Sequence, residues 1–161
     1  MKGTVLYDSV TGHSERMAEA VAEGMRRGGL EARAFPVEGI DTAFAKESRV
    51  IVLGGPVYSA SVGARLRAFL EKGFPSLEPA GKLGGAFATA DYVHGGGEIF
   101  LQQVLTHMLC RGMLCYSGGS AFGRPVIHLG PVAISDALSD YEEVFRLYGE
   151  RMAGKALELF K

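Results

Sequence analysis

A doubly wound α/β fold, with helices on both faces of a five-stranded parallel sheet, is what this sequence predicts, from three observations. Short β-rich runs alternate with stretches of helical period along the chain, the pattern of successive βαβ units. Val50-Ile51-Val52-Leu53 is apolar without interruption, as in a strand covered on both faces. Finally, 161 residues with 47% hydrophobic and 22% charged side chains suit one well-cored domain over residues 1–161 better than two. Right-handed crossovers then leave few topologies.

Each element has its own signal. Thr4–Tyr7 is the first strand, closed by Asp8-Ser9 and a turn at Thr11-Gly12. From Ser14 apolar residues recur at helical spacing through Met17, Val21 and Met25, until Gly28-Gly29 ends the helix. Ala32–Val37 reads as the second strand and Thr42–Lys46 as at most a short helix. Val50–Leu53 is the third strand, with Gly54-Gly55-Pro56 expected to break it. Val62, Leu66, Phe69 and Leu70 mark a helix closed by Gly73 and Pro75, and Ala86–Thr89 is the fourth strand. Leu101, Leu105, Met108 and Leu109 share a helix face that Gly112 ends, and Met113–Tyr116 is the fifth strand. Residues 117–138 are less regular, with Val126–Leu129 a candidate short strand. The last helix is expected to start on a capping box, Ser139 with Glu142 three residues on.

Composition excludes several function classes. Seventeen basic and eighteen acidic residues give a net charge of −1 without like-charge blocks, so the basic face of a nucleic-acid binder is missing. No apolar run approaches the ~18 residues of a membrane span, and the chain starts in strand-like sequence without a signal peptide. Cys110 and Cys115 are too few for a disulfide scaffold and read as buried thiols rather than a redox pair, with the cytoplasm as the expected compartment. No His/Cys/carboxylate cluster has structural-zinc spacing. Glycine is the outlier at 23 residues, about twice the usual ~7%. That excess implies tight turns or a ligand close to the backbone.

In an open α/β sheet, ligands bind beyond the carboxyl ends of the strands. Three loops leave strand ends here. Ser9-Val10-Thr11-Gly12-His13-Ser14 offers three hydroxyls and successive N–H groups at a helix N-terminus, which suits a phosphate. It has no Lys or Arg, and neither GxxxxGK(S/T) nor GxGxxG occurs; the expected anion is a monophosphate held by neutral donors. A plain Ser/Thr-capped helix start is the alternative. Gly54–Ser61 and Thr89–Gly97 carry Tyr58 and Tyr92, against which a planar aromatic ligand could lie. Ordinary exposed loop tyrosines are the other reading.

Together the three loops resemble the flavodoxin family. Ser9-x-Thr11-Gly12-x-Ser14 is similar to its (S/T)-x-T-G-x-(S/T) loop. Gly54-Gly55-Pro56 with Arg67-x-Phe69-Leu70, Gly81-Lys82-Leu83-Gly84 through Gly95-Gly96-Gly97-Glu98, and Arg111-Gly112-Met113 resemble stretches of WrbA-type NAD(P)H:quinone oxidoreductases. The resemblance implies a flavodoxin-like fold with strand order 2-1-3-4-5 and one non-covalent FMN. It places the phosphate on Ser9, Val10, Thr11, Gly12, His13 and Ser14. It places one flavin edge against Pro56, Val57, Tyr58 and Ser59, and the other side against Thr89, Ala90, Asp91, Tyr92 and Gly97. A homo-oligomer is implied by resemblance alone. Two departures concern the substrate: Cys110 stands at the first histidine of the WrbA-type H-H-G-M, and the stretch after Pro56 lacks their Thr-Arg-Phe-Gly. Two roles are open to residues 117–138, covering the flavin or building a subunit contact.

One-electron flavodoxins flip a peptide beside flavin N5, which glycine eases, and Val57–Val62 contains none. A side chain held at positive φ costs ~1–2 kcal/mol, which tilts the expectation towards two-electron chemistry. Neutral net charge also offers little steering towards basic partner proteins. The leading expectation is an FMN enzyme that takes hydride from NAD(P)H and reduces a quinone-like acceptor. Tyr92 and His94 are its candidate proton donors, an exposed loop histidine without a role being the plainer reading of His94. The alternatives are a carrier delivering electrons to a redox partner protein, and a flavin-free phosphate-binding module.

Overall fold

Alternate residues of the central strands enter two separate cores. The computed structural model describes all 161 residues. Strands are β1 (Lys2–Tyr7), β2 (Glu31–Pro36), β3 (Val50–Tyr58), β4 (Ser61–Val62), β5 (Leu83–Ala90), β6 (Leu114–Cys115) and β7 (Val132–Ile134). Helices are α1 (His13–Arg27), α2 (Thr42–Glu47), α3 (Ala64–Ala68), α4 (Gly97–Cys110) and α5 (Leu138–Leu159). Val5, Val50, Val52 and Phe87 pack under α1 and α5 with Met17, Val21, Phe145 and Met152. Leu6, Ile51, Leu53 and Ala88 face the other way, onto Leu66, Leu70, Phe100 and Val104. This period of two inside uninterrupted apolar runs is what a strand buried on both faces requires.

The sheet order is β2-β1-β3-β5-β6, parallel throughout. It is the expected 2-1-3-4-5 once β4, paired antiparallel with β3 alone, is set aside. The fifth position is divided. Leu83 and Gly84 pair with β6 at one end of β5, and Ala88, Thr89 and Ala90 pair with β7 at the other. Between them the Ala86 N–H has no strand to bond and donates instead to the Tyr148 hydroxyl at 3.1 Å. Tyr148 is fully buried, so α5 fills the break in the ladder.

Four expectations are corrected. Gly54-Gly55-Pro56 does not end β3: these residues pair with Phe87, Ala88 and Thr89, and the strand runs on to Tyr58. Val126–Leu129 is not a strand; Ile127 makes one isolated bridge to Gly119, and the strand lies at Val132–Ile134. The capping box at Ser139 is absent, because a 3-10 turn over Ser135–Ala137 leads into α5 at Leu138. Glu142 is held by Arg16 and Arg146 instead. Cys110 is exposed and Cys115 half-buried, because Cys110 ends α4 and faces solvent.

Eight glycines, Gly12 and Gly96 among them, stand at positive φ, as expected of tight turns, and the excess has a second cause beside them. A side chain at Gly24 would strike the Arg146 carbonyl and one at Gly149 the Val21 carbonyl, so these two let α1 and α5 approach backbone to backbone. Gly54 makes room for the Phe87 ring and Gly97 for Val132. Much of the glycine therefore serves internal packing.

Candidate functional site

The loops after β1, β3 and β5 meet at one edge of the sheet around an open cavity of about 190 Å³. Its wall contains Ser9, Val10, Thr11, His13 and Ser14 from the first loop and Pro56, Val57 and Tyr58 from the end of β3. Thr89, Asp91 and Ser135 complete it. Gly12, at φ +89, is the N-cap of α1, and no side chain caps the helix. The first-turn N–H groups therefore keep their capacity to bind an anion. Ser9 Oγ accepts from Gly12 N at 3.1 Å and sets the curvature of the loop.

A buried hydroxyl pair, Ser14 Oγ and Thr89 Oγ1 at 2.7 Å, ties the start of α1 to the end of β5. Below the first loop the Asp8 carboxylate is 3% exposed and pairs with Arg65. The Asp8 partnership holds the Arg65 guanidinium above its ordinary range. Arg65 also donates to the Ser9 carbonyl at 3.3 Å and pairs with Glu38 at 2.9 Å, so one side chain braces the loops after β1 and β2. Burial, with a 3.1 Å hydrogen bond to Glu15, pushes the Tyr7 phenol up to about 12.

The end of β3 turns back into β4 through Ser59 and Ala60, at φ +49 and +57. Two central residues at positive φ define a type I′ hairpin turn, here without glycine. Gln103 Oε1 accepts from Ser61 Oγ and Val62 N, both at 3.0 Å, and anchors the hairpin to α4. Tyr58 is about half exposed; a Cβ on Gly63 would stand 2.7 Å from its ring, so that glycine makes room for it.

Several expected residues lie off the wall. Ala90 is buried and its carbonyl accepts from Ser135 Oγ at 3.2 Å. Gly97 is buried against Val132. Ser59 is exposed at the turn, and Tyr92 and His94 stand on the exposed loop beyond Asp91. That loop abuts the hairpin: a Cβ on Gly96 would strike Ala60. Sequence reasoning missed Ser135, which also donates to Asp91 Oδ1 at 3.0 Å, as well as Arg65 and Gln103. Ser135 sits in an irregular stretch with no motif. Arg65 had a signal in the preceding Asp8, a carboxylate at the end of a buried strand that requires a counter-charge.

Residues 5–84 match the family model described as Flavodoxin. A flavodoxin of Clostridium saccharobutylicum is 38% identical over 161 residues, covering 99% of this chain and 100% of that protein. The chain belongs to the flavodoxin family. An NAD(P)H dehydrogenase (quinone) of Paraburkholderia phymatum is 30% identical over 194 aligned positions, with 97% of each chain covered. The crystal structure of a flavodoxin, WrbA-like protein from Agrobacterium tumefaciens superposes with a TM-score of 0.80 at 25% identity, over 98% of both chains. The flavodoxin family's cofactor is FMN. The donor set fits it: hydroxyls and an uncapped helix start suit a phosphate monoester, and Val57 and Tyr58 give an apolar wall for a ring system.

Proposed function

We propose that this flavodoxin-family chain is an FMN-dependent oxidoreductase that moves electrons in pairs, from NAD(P)H to a quinone-like acceptor. When bound, FMN supplies the redox chemistry, accepting a hydride or single electrons as its surroundings favour. The chain's residues bind and orient it. Ser9, Val10, Thr11, Gly12, His13 and Ser14 hold the phosphate through hydroxyls and N–H groups. Pro56, Val57, Tyr58 and Ser59 flank one side of the ring system, with Thr89, Ala90, Asp91, Tyr92 and Gly97 supplying the framework of the other. Tyr92 and His94, exposed on the loop whose Gly96 abuts Ala60, would deliver the protons that the acceptor takes up.

The Ser59–Ala60 turn carries the two-electron reading. Turning its central peptide over would change I′ into II′ geometry, which puts the first central residue where glycine is favoured. Ser59 occupies that position, so its Cβ resists the flip. A turn fixed in one form withholds the adjustment that favours one-electron reduction.

One observation favours the carrier reading. The Paraburkholderia alignment has 194 positions against a chain of 161, so at least 33 positions have no residue here, whereas the Clostridium flavodoxin matches end to end. Anaerobic photoreduction of the FMN-loaded protein separates the two. A single two-electron phase, with rapid NAD(P)H oxidation when a quinone is added, supports the enzyme. Two resolved one-electron phases and no NAD(P)H turnover would establish the carrier.

A further inference from the structure

Arg151 is 7% exposed, yet its Nε and Nη1 are buried without any hydrogen-bond acceptor in the protein. A guanidinium stays charged at all relevant pH, and a buried charge without a counter-charge is strongly unfavourable. Inside the chain its compensation is the Phe122 ring, 5.3 Å from the guanidinium carbon.

The same arginine lines an open cavity of about 430 Å³ between α5 and the loop after β6. Arg124 and Lys155 add two cations to the wall, and Glu150 and Glu158 two carboxylates. Glu158 pairs with Lys155 at 2.5 Å, whereas Glu150 has only a 3.9 Å approach to Arg27, whose nearer partner is Glu23 at 2.7 Å. Neither carboxylate pairs with Arg124 or Arg151. Two guanidiniums, Arg124 and Arg151, are left over. Phe122 beside them is 56% exposed and offers an apolar surface. Arg151 lies roughly 20 Å of helix beyond Leu138, on the far part of α5 from the Ser135 side of the flavin cavity.

We propose that this cavity binds an organic phosphate monoester. Its dianionic head sits on Arg151 and Arg124, and its apolar body lies against Phe122. Planar guanidiniums match phosphate oxygens in charge and hydrogen-bond geometry. A single carboxylate matches the fork of one guanidinium, whereas the three terminal oxygens of a phosphate monoester serve both, and an inorganic ion leaves Phe122 uncovered. Gly118 and Gly123, both at positive φ, flank Phe122 and let the loop yield so that its ring moves from the guanidinium onto the ligand.

The test is titration calorimetry of phenyl phosphate into FMN-saturated protein, so that the α1 phosphate loop is already filled. One site is expected, weakened at least tenfold by Arg151→Met and by Arg124→Gln, with the flavin spectrum unchanged in both. The absence of binding at millimolar phenyl phosphate overturns the proposal. So does equal affinity in the Arg124→Gln variant, an exposed change that keeps the test valid even if Arg151→Met fails to fold. Benzoate or inorganic phosphate binding as tightly as phenyl phosphate overturns the assignment of a dianionic head or of an organic body, respectively.

Discussion

The hydroxyls of Ser14 and Thr89 lie 2.7 Å apart, both buried, and join two loops that are 75 residues apart in sequence. The pair makes the start of α1 and the end of β5 one mechanical unit at the cavity wall. Ser14→Ala leaves the Thr89 hydroxyl without its partner, a loss of ~1–3 kcal/mol. Urea denaturation should show that loss, and FMN affinity should fall about tenfold, equivalent to ~1.4 kcal/mol. In the Ser14→Ala/Thr89→Val double variant no hydroxyl is stranded, so stability should partly return while FMN affinity does not.

Tyr148→Phe removes the acceptor of the Ala86 N–H in the middle of β5. An unsatisfied buried amide costs ~1–3 kcal/mol. The expected result is a lower denaturation midpoint, with amide exchange accelerated at Ala86. Unchanged exchange there would mean that another acceptor replaces the phenol.

Arg146 bridges α1 and α5, holding Glu23 at 2.7 Å and Glu142 at 2.9 Å. Hydrogen bonds from Arg16 and then Arg146 at Glu142, and from Arg146 and then Arg27 at Glu23, hold both carboxyls below their ordinary 4.5. Folded-state values that are depressed add stability above the unfolded value, and it is lost as pH falls through the folded values. Thermal unfolding across the acid range should therefore show Arg146→Gln melting lower than wild type near neutrality. The two curves should converge below the depressed values, where both carboxyls are protonated in either protein.

Ser59→Gly removes the side chain that resists turning over the hairpin peptide, a restraint of ~1–3 kcal/mol from the glycine-favouring conformation that the flipped turn requires. Potentiometric titration of the FMN-loaded variant should show the potential of the first one-electron couple rising relative to the second by about 40–130 mV. No movement would dissociate the turn from the choice between single and paired electrons.

Legibility in the sequence followed the range of the forces involved. Val50–Leu53 announced itself because burial on both faces leaves an unbroken apolar run. The continuation to Tyr58 was hidden, since Gly54-Gly55-Pro56 resembles a breaker locally and becomes strand through its pairing with Phe87–Thr89. The loop Ser9–Ser14 was readable, being contiguous and rich in donors. Ser135 was not, because its place on the cavity wall comes from the pairing of β7 with β5. Ser139 and Glu142 had capping-box spacing, but Arg16, brought alongside by α1–α5 packing, competes for the carboxylate.

The divided fifth strand gives the sheet two independent latches on β5, one closing its lower half and one fixing the edge that carries Thr89 and Ala90. Ile127 packs in the core, Gly130 lies against the Ala86 carbonyl and the Pro131 carbonyl accepts from Ala88 N–H at 3.0 Å, so the chain between the latches is tied down at its later end. The mostly exposed residues 120–126 are the part where length can be added, and new recognition with it, while both registers stay in place.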